Sequence, residues 1–137
     1  MTLEQIEKTL PNGLHDALIR GFDMDYGEMR LRLRVDLLVG LPSQPFPDRE
    51  RYQPREICFH GVQVFAVEFP QAESPFQQLG AICFSYKRSA PDMLPTALIR
   101  EFLPNTDLYT LFINDWLSSI HIAALDVSVS LSELMPE

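Results

Sequence analysis

The sequence contains few cysteines and few glycines. Its two cysteines, Cys58 and Cys83, form no CxxC pair, and no second cluster completes a zinc site. Its six glycines form neither a GxGxxG nor a GxxxxGK loop, and no GxSxG elbow occurs. Disulfide frameworks, nucleotide-binding loops and familiar serine hydrolases therefore find no support. We predict no metal, no cofactor and a reducing, cytoplasmic location.

A basic leader and a long apolar run are also missing. The opening residues, MTLEQIEKTLPNG, carry acids where a secretory signal carries bases. Apolar stretches such as residues 62–67 end far short of the about 18 residues that suggest a membrane span. Because 137 residues is a usual size for one domain, we expect a single globular domain over residues 1–137 and no membrane contact.

Basic residues are scarce, with 11 Lys and Arg against 19 Asp and Glu and a formal charge of −8. The excess is concentrated in residues 57–137, which hold nine acids and three bases. A nucleic-acid binder needs a basic surface that displaces counterions from phosphates, so this class is disfavoured. The charge favours a basic protein partner. The alternative is that it only maintains solubility.

The first residues predict a short amphipathic helix over Thr2–Leu10. Thr2 and Gln5 have the spacing of a capping box, and apolar residues recur on one side of the segment. Pro11 cannot continue the helical hydrogen bonds and Gly13 tolerates a left-handed turn, so the helix should end there.

A two-residue period follows and is clearest over Glu28–Val39, where apolar residues alternate with arginine and aspartate. Such alternation gives a strand with one apolar and one wet face, as in an antiparallel sheet. Tyr26 and Gly27 predict a two-residue hairpin turn in which Gly27 supplies a positive φ.

That turn fixes a register for the hairpin. Asp25 pairs with Glu28, and Asp23 lies opposite Arg30 as a cross-strand ion pair. The apolar pairs are Met24 with Met29, Phe22 with Leu31, and Leu18 with Val35. Arg20 falls on the apolar face, so it either lies beyond the edge of the core or meets a buried acid.

The other elements are assigned from local pattern. They are a long loop over Gly40–Pro54, one or two strands over Arg55–Phe69, a strand over Leu79–Lys87, a short helix over Pro95–Leu103, a strand over Leu108–Ile113, and two strands or one bent strand over Trp116–Leu131. Gly61 marks a place where a bulge fits. The predicted fold is mainly β, an antiparallel sandwich or coiled sheet of six to eight strands with a short N-terminal helix.

Five side chains are candidates for chemistry: His15, Asp16, Cys58, His60 and His121. A metal site would need three or four such ligands to converge, and we predict none. Cys58 and His60 are two residues apart, so in a regular strand they share a face, where an imidazole can activate a thiolate. The alternative is that the cysteine fills space in a core and that the histidines bond locally.

Arg30, Arg32 and Arg34 line the wet face of the same predicted strand. Guanidinium groups bind carboxylates and phosphates in two-point contacts, so this row could clamp an anion. The alternative is a face neutralised by its acidic neighbours, which are Asp23, Asp25, Glu28 and Asp36.

Three segments carry a resemblance: LPNGLHDALIRGFDMDY with the following MRLRLRVDLLVG, then ICFHGVQVFAVEFP, then LFINDWLSSIHIAALDVSVSL. Together they resemble a family of small uncharacterised bacterial proteins, a domain of unknown function, which implies no activity. The segment LHDALI, with Leu14, His15, Asp16 and Ile19, resembles the openings of small bacterial immunity proteins that neutralise the toxins of competitors.

Three hypotheses about function follow. The first is a non-enzymatic protein-binding domain, immunity-like, whose acidic surface meets a basic protein. The second is a small enzyme, or a ligand or metal binder, that uses His15, Asp16, His60 and His121. The third is a homo-oligomeric structural module.

Overall fold

The computed structural model describes residues 2–14, 17–41, 43–47, 51–68, 84–89, 101–113 and 118–131. These residues form one short helix and eight strands. The elements are α1 Leu3–Glu7, β1 Leu18–Asp25, β2 Arg30–Leu38, β3 Tyr52–His60, β4 Val64–Val67, β5 Phe84–Ser89, β6 Asp107–Ile113, β7 Ser118–Ala124 and β8 Asp126–Leu131. The prediction of a mainly β, antiparallel fold with a short N-terminal helix is confirmed.

The strands form two four-stranded sheets. Sheet A has the order β1-β2-β3-β8 and sheet B the order β4-β7-β6-β5, and all the pairs are antiparallel. The apolar face of each sheet is buried against the other, as where the rings of Phe59 and Tyr109 lie 6.0 Å apart. The core is therefore the layer between the sheets, and each sheet has an outer face turned away from it.

Two long chain segments pass from one sheet to the other side by side. β3 pairs with β8 in sheet A, and their continuations β4 and β7 pair in sheet B. At the bend, Gly61 has φ 64° and the N–H of Leu125 donates to the carbonyl of His60 at 2.9 Å. Each of the segments predicted as one or two strands, Arg55–Phe69 and Trp116–Leu131, forms two strands in the described residues. Gly61 marks a change of sheet, however, and not a bulge within one strand.

The predicted register of the β1–β2 hairpin is wrong by two residues. Asp25 pairs with Arg30 instead of Glu28, and Asp23 lies opposite Arg32. The turn has four residues, because the side chain of Asp25 accepts the N–H of Glu28 at 3.0 Å. The apolar pairs shift accordingly, and Met24 lies opposite Leu31 and Phe22 opposite Leu33.

The positive φ of this turn lies at Met29, with φ 51°, and not at Gly27 as predicted. The N–H of Val62 donates to the carbonyl of Met29 at 2.9 Å. This bond joins the hairpin tip to the bend between the sheets. Met29 is thereby held in the turn, and its side chain is exposed instead of facing the core.

A bulge between Ile19 and Gly21 resolves the exceptional position of Arg20. Because the bulge shifts the alternation, Ile19 rather than Leu18 enters the core, and Arg20 turns outward. Its Nε lies 2.5 Å from Oδ2 of Asp36, whose side chain is only 9% exposed. The alternative in which Arg20 meets a buried acid is therefore the observed one.

Helix α1 is shorter than predicted, but its capping box is present, with Thr2 and Gln5 bonded reciprocally. The N–H of Leu3 donates to the buried hydroxyl of Tyr109 at 3.0 Å, which fixes the start of the helix to β6. After the helix, Gly13 has φ 58° as predicted. The amide of Asn12 donates to the carbonyls of Leu38, the last residue of β2, and of Gly40 just beyond it, so the helical segment is tied to the end of sheet A.

The loop predicted over Gly40–Pro54 is too long, because β3 already begins at Tyr52. The N–H groups of Val39 and Gly40 both donate to the carbonyl of Arg51, which continues the β2–β3 pairing into the loop. Pro54 lies opposite Asp36 of β2, and in the described residues the pairing of β3 with β8 begins at Arg55, so no β8 bond to Pro54 is among those described.

Several predictions fall partly outside the described residues. Phe84–Ser89 is a strand, which confirms the second half of the one predicted over Leu79–Lys87, and residues 79–83 lie outside. Of the helix predicted over Pro95–Leu103, residues 101–103 are described and are not helical. Trp116 also lies outside the described part of the chain.

The bend between the sheets yields a test with Gly61→Ala. A Cβ at this position would lie 2.7 Å from Cδ1 of Leu125, and the φ of 64° disfavours any L side chain. We expect the free energy of unfolding to fall by about 1–2 kcal/mol from backbone strain, with the clash in addition. Urea unfolding monitored by circular dichroism measures the loss.

Gly27→Ala is the matched control, because Gly27 is exposed, has no positive φ and has its nearest neighbour at 3.5 Å. Its effect should stay within about 0.5 kcal/mol. Adding Leu125→Ala to Gly61→Ala should relieve the clash and leave the backbone strain. Equal losses in the two glycine variants would contradict the account of the bend.

Candidate functional site

The two outer faces of the sandwich differ in exposure. On sheet B, the outward side chains of Val64, Leu108 and Ala123 form a second buried cluster, against which Phe102 packs. On sheet A, the outward side chains are mostly charged or polar and several are exposed, as at Asp23. Among the side chains whose burial is described, those on the outer face of sheet A are therefore the more accessible.

The candidate residues that the structure describes lie on both outer faces of the sandwich. Cys58 and His60 lie on the outer face of sheet A, whereas His121 lies on the outer face of sheet B, across the core. His15 and Asp16 lie outside the described residues. Within the described ranges, no group of three His, Cys, Asp or Glu side chains is placed to hold a metal ion.

No helix in the described part of the chain has both the length and the hydropathy needed to cross a membrane.

The outer face of sheet A has its polar residues in rows across the four strands. One row runs Asp25, Arg30, His60 and Asp126, and the next runs Asp23, Arg32, Cys58 and Ser128. The third runs Gly21, Arg34, Glu56 and Ser130. Each arginine therefore has an acid in its own row. The alternative of a face neutralised by its neighbours agrees with this register better than an open anion clamp.

The guanidinium of Arg34 lies across the backbone of β1. A Cβ on Gly21 would come within 2.6 Å of its Nη2. Gly21 therefore provides the space that lets a long cationic side chain fold flat on the sheet.

His60 bonds to Ser128 instead of Cys58. Its Nε2 lies 2.9 Å from Oγ of Ser128, a residue on the neighbouring strand β8. Ser128 was missed by the sequence analysis because it lies 68 positions away, and only the β3–β8 register brings the two together.

The surroundings of Cys58 disfavour the thiolate form of its side chain. Burial raises the pKa of its thiol above the ordinary 9.0, and the charge of Glu56 raises it further. Arg30 and Arg32 act in the opposite direction and are outweighed. At neutral pH the thiol is therefore protonated, which does not favour thiolate chemistry.

One end of the sandwich combines exposed apolar side chains with carboxylates. Tyr26 is 83% exposed at the hairpin tip, and Met29 beside it and Leu125 at the bend are also exposed. The acids of this end are Asp23, Asp25, Glu28 and Asp126. We call these seven residues the hairpin-end surface. The bond from Val62 to Met29 and the row from Asp25 to Asp126 hold its parts together.

His121 is the centre of a second polar arrangement, on sheet B. It is 6% exposed, its Nε2 lies 2.9 Å from Oε2 of Glu68, and its Nδ1 lies 3.4 Å from Oγ1 of Thr110. The order hydroxyl, imidazole, carboxylate matches that of a catalytic triad. The 3.4 Å contact is longer than the about 2.6–3.2 Å expected between nucleophile and base.

Glu68 makes this arrangement a structural clamp. Its other carboxylate oxygen accepts the N–H of Ser119 at 3.1 Å, and its own N–H donates to the Ser119 carbonyl at 2.9 Å. The hydrogen bond from His121 lowers the pKa of Glu68 below the usual 4.5, and the Ser119 N–H adds to this against the effect of burial. The group thus ties the end of β4 to β7.

Comparison with family models, curated proteins and solved structures gives no match to this chain.

The raised pKa of Cys58 yields a prediction about its reactivity. In a Cys83→Ser background, the rate of alkylation by iodoacetamide should rise with an apparent pKa above 9.0. The rate against pH, measured by mass spectrometry, gives this value. Replacing His60 by Gln should leave it unchanged, because His60 bonds to Ser128. A pKa below 9.0 that rises in the His60 variant would instead show an activated thiol–imidazole pair.

The lowered pKa of Glu68 predicts a pH dependence of stability. A carboxylate whose pKa is lower in the folded than in the unfolded state stabilises the fold when it is ionised. This stabilisation is present above about pH 4.5 and is lost as the pH falls through the pKa of the folded state. Wild type should therefore exceed Glu68→Gln in stability at neutral pH, and the difference should shrink towards pH 3. Because the Glu68 side chain is 42% exposed, screening limits the difference to about 1 kcal/mol.

Urea unfolding between pH 3 and pH 7 measures this difference. Glu101→Gln is the control, because Glu101 is an exposed glutamate outside the clamp. A difference for Glu68→Gln that stays constant over the whole range would contradict the assignment.

Proposed function

We propose that this chain is a non-enzymatic protein-binding domain that engages a basic protein through the hairpin-end surface. The observation that carries the proposal is the placement of Tyr26. Tyr26 is 83% exposed at the hairpin tip, between the acids Asp25 and Glu28 along the chain, and the row of Asp25 extends across sheet A to Asp126. A large exposed aromatic ring within a polar rim has the anatomy of a binding hot spot.

Charge supports a basic partner. Three acids of the hairpin-end surface, Asp23, Asp25 and Glu28, stand against Arg30 and Arg32 in the same rows of sheet A, and the fourth, Asp126, already interacts with a positive group that lowers its pKa. The end therefore keeps an acidic excess, in line with the −8 charge of the chain. Such an excess steers a positively charged protein and raises its association rate, and salt weakens the effect.

The separation of His60 from His121 gives no support to a catalytic site built from the candidate histidines. The protonated thiol of Cys58 and the long Thr110–His121 contact point the same way. A binding role needs none of these groups in reactive geometry.

An immunity-like role is the narrower form of the proposal, in which the basic partner is a bacterial toxin. Two of the residues behind that resemblance, Leu14 and Ile19, are buried in the core. They therefore contribute to the fold, and the contact with a partner would rest on the hairpin-end surface.

The proposal predicts the outcome of affinity capture with matched variants. Wild type, Tyr26→Ala, Glu28→Lys and Glu101→Lys are each used as bait in extract of the source cell. A basic protein should be recovered by wild type and by Glu101→Lys, whose exposed acid lies outside the hairpin-end surface. Recovery should fall at least tenfold with Tyr26→Ala and with Glu28→Lys, because one loses the aromatic anchor and the other reverses a charge.

The dissociation constant of the purified pair, measured between 50 and 300 mM salt, should rise with salt. Circular dichroism confirms that each variant is folded. A partner bound equally by all four proteins, or an affinity unaffected by salt, would overturn the proposal.

A further inference from the structure

β1 is an edge strand of sheet A, and its outer edge pairs with no strand in the described part of the chain. The bulge between Ile19 and Gly21 disrupts the first half of this edge. The second half, residues 22–25, is regular and continues directly into the hairpin tip. At about 3.4 Å per residue it offers an edge about 13 Å long for pairing with another chain.

An apolar seam lies beside this edge. Phe22 and Met24 face the core but are only partly buried, because no further strand covers them in the described structure. Across the sandwich, Phe65 on the edge strand β4 packs edge-to-face on Phe22, with ring centroids 5.4 Å apart. Val67 of the same strand is 40% exposed.

The other side of β1 is acidic. Asp23 and Asp25 alternate with Phe22 and Met24, and both carboxylates are exposed on the outer face of sheet A. A strand added to this edge would therefore place every second side chain beside the apolar seam and the others beside carboxylates.

We propose that β1 receives the partner by β-strand addition, and that the partner segment is an extended chain of alternating basic and apolar residues. This mode rests on the proposed function, and it names the part of a basic partner that binds. Main-chain hydrogen bonds to residues 22–25 supply affinity, and the alternation of side chains supplies specificity.

Charge complementarity selects this occupant over a second copy of the chain. Pairing of two β1 edges would set the carboxylates of Asp23 and Asp25 against those of the other copy, which destabilises the pair. A basic segment turns the same carboxylates into opposite-charge cross-strand pairs. Because Asp23 and Asp25 belong to the hairpin-end surface, a partner segment that runs past Asp25 can contact both the β1 edge and Tyr26 at the hairpin tip.

Synthetic peptides test the mode with the full-length protein. The probe is a blocked heptapeptide of alternating lysine and valine. One control replaces lysine by glutamate, and the other has the same composition with the lysines grouped together. At 50 mM salt we expect the alternating basic peptide to bind at least tenfold more tightly than either control, as measured by fluorescence anisotropy.

Amide hydrogen exchange followed by NMR locates the bound peptide. The alternating basic peptide should slow exchange at outward-directed amides within residues 22–25 and leave those of β6, inside sheet B, unchanged. Equal affinity for the grouped peptide, or binding without protection of β1, would overturn strand addition.

Variants complete the test. Asp23→Lys should lower the affinity for the basic peptide at least tenfold and raise the affinity for the glutamate peptide. Glu101→Lys should change neither affinity. Met24→Lys places a charge on the apolar seam and should therefore lower the affinity for both alternating peptides. Circular dichroism and thermal unfolding verify that each variant folds, and an unchanged affinity in folded Asp23→Lys would contradict the mode.

Failure of strand addition is distinguishable from failure of the proposed function. The peptides could fail to protect the β1 amides while wild type still captures a basic protein that Tyr26→Ala does not. In that case only the proposed mode of binding is wrong. If no basic protein depends on Tyr26 or Glu28, the binding role itself fails.

Discussion

The bend that carries β3 into β4 and β7 into β8 is the constraint on which the other features depend. The two segments pair with each other on both sides of the bend. They supply β3 and the edge strand β8 to sheet A, and β7 and the edge strand β4 to sheet B. The left-handed conformation of Gly61 allows Leu125 to pack against it. The N–H of Val62 then donates to the carbonyl of Met29, which places the hairpin tip at the same end of the molecule as the bend and Leu125. The hairpin-end surface is thus a consequence of how the sheets are joined.

Local patterns predicted the element types well and the register poorly, for identifiable reasons. The capping box of Thr2 and Gln5 is decided within four residues, and it was found as predicted. The turn after Asp25 depends on a side-chain bond to Glu28 and on a main-chain bond from Val62, which lies 33 positions beyond Met29. No period-two pattern carries information about that second bond, so the hairpin was placed two residues out of register.

The candidate site shows the same division. The spacing of Cys58 and His60 correctly implied a shared strand face, but the partner of His60 was decided by β8, where Ser128 lies within 2.9 Å. Likewise, the buried imidazole of His121 finds its hydrogen-bond partner in Glu68, which lies more than 50 positions earlier in the chain. Side-chain partners across strands depend on strand order and register, which a single sequence does not specify. The faces were therefore predictable and the pairings were not.

Alternation along β1 connects the fold to the proposed mode of binding. A strand inside a sheet uses such alternation to separate core from solvent, and its main-chain groups are paired on both sides. The edge strand β1 has the same alternation, but in the described structure its main chain is paired only with β2. Phe22 and Met24 therefore face the core while only partly buried, and Asp23 and Asp25 remain in solvent. Natural proteins protect such edges with bulges and charges, and β1 has both: a bulge in its first half, and acids in its second. Acids repel another acidic edge but attract a basic one, so the protection against self-association also defines the chemistry of the strand that this edge would accept.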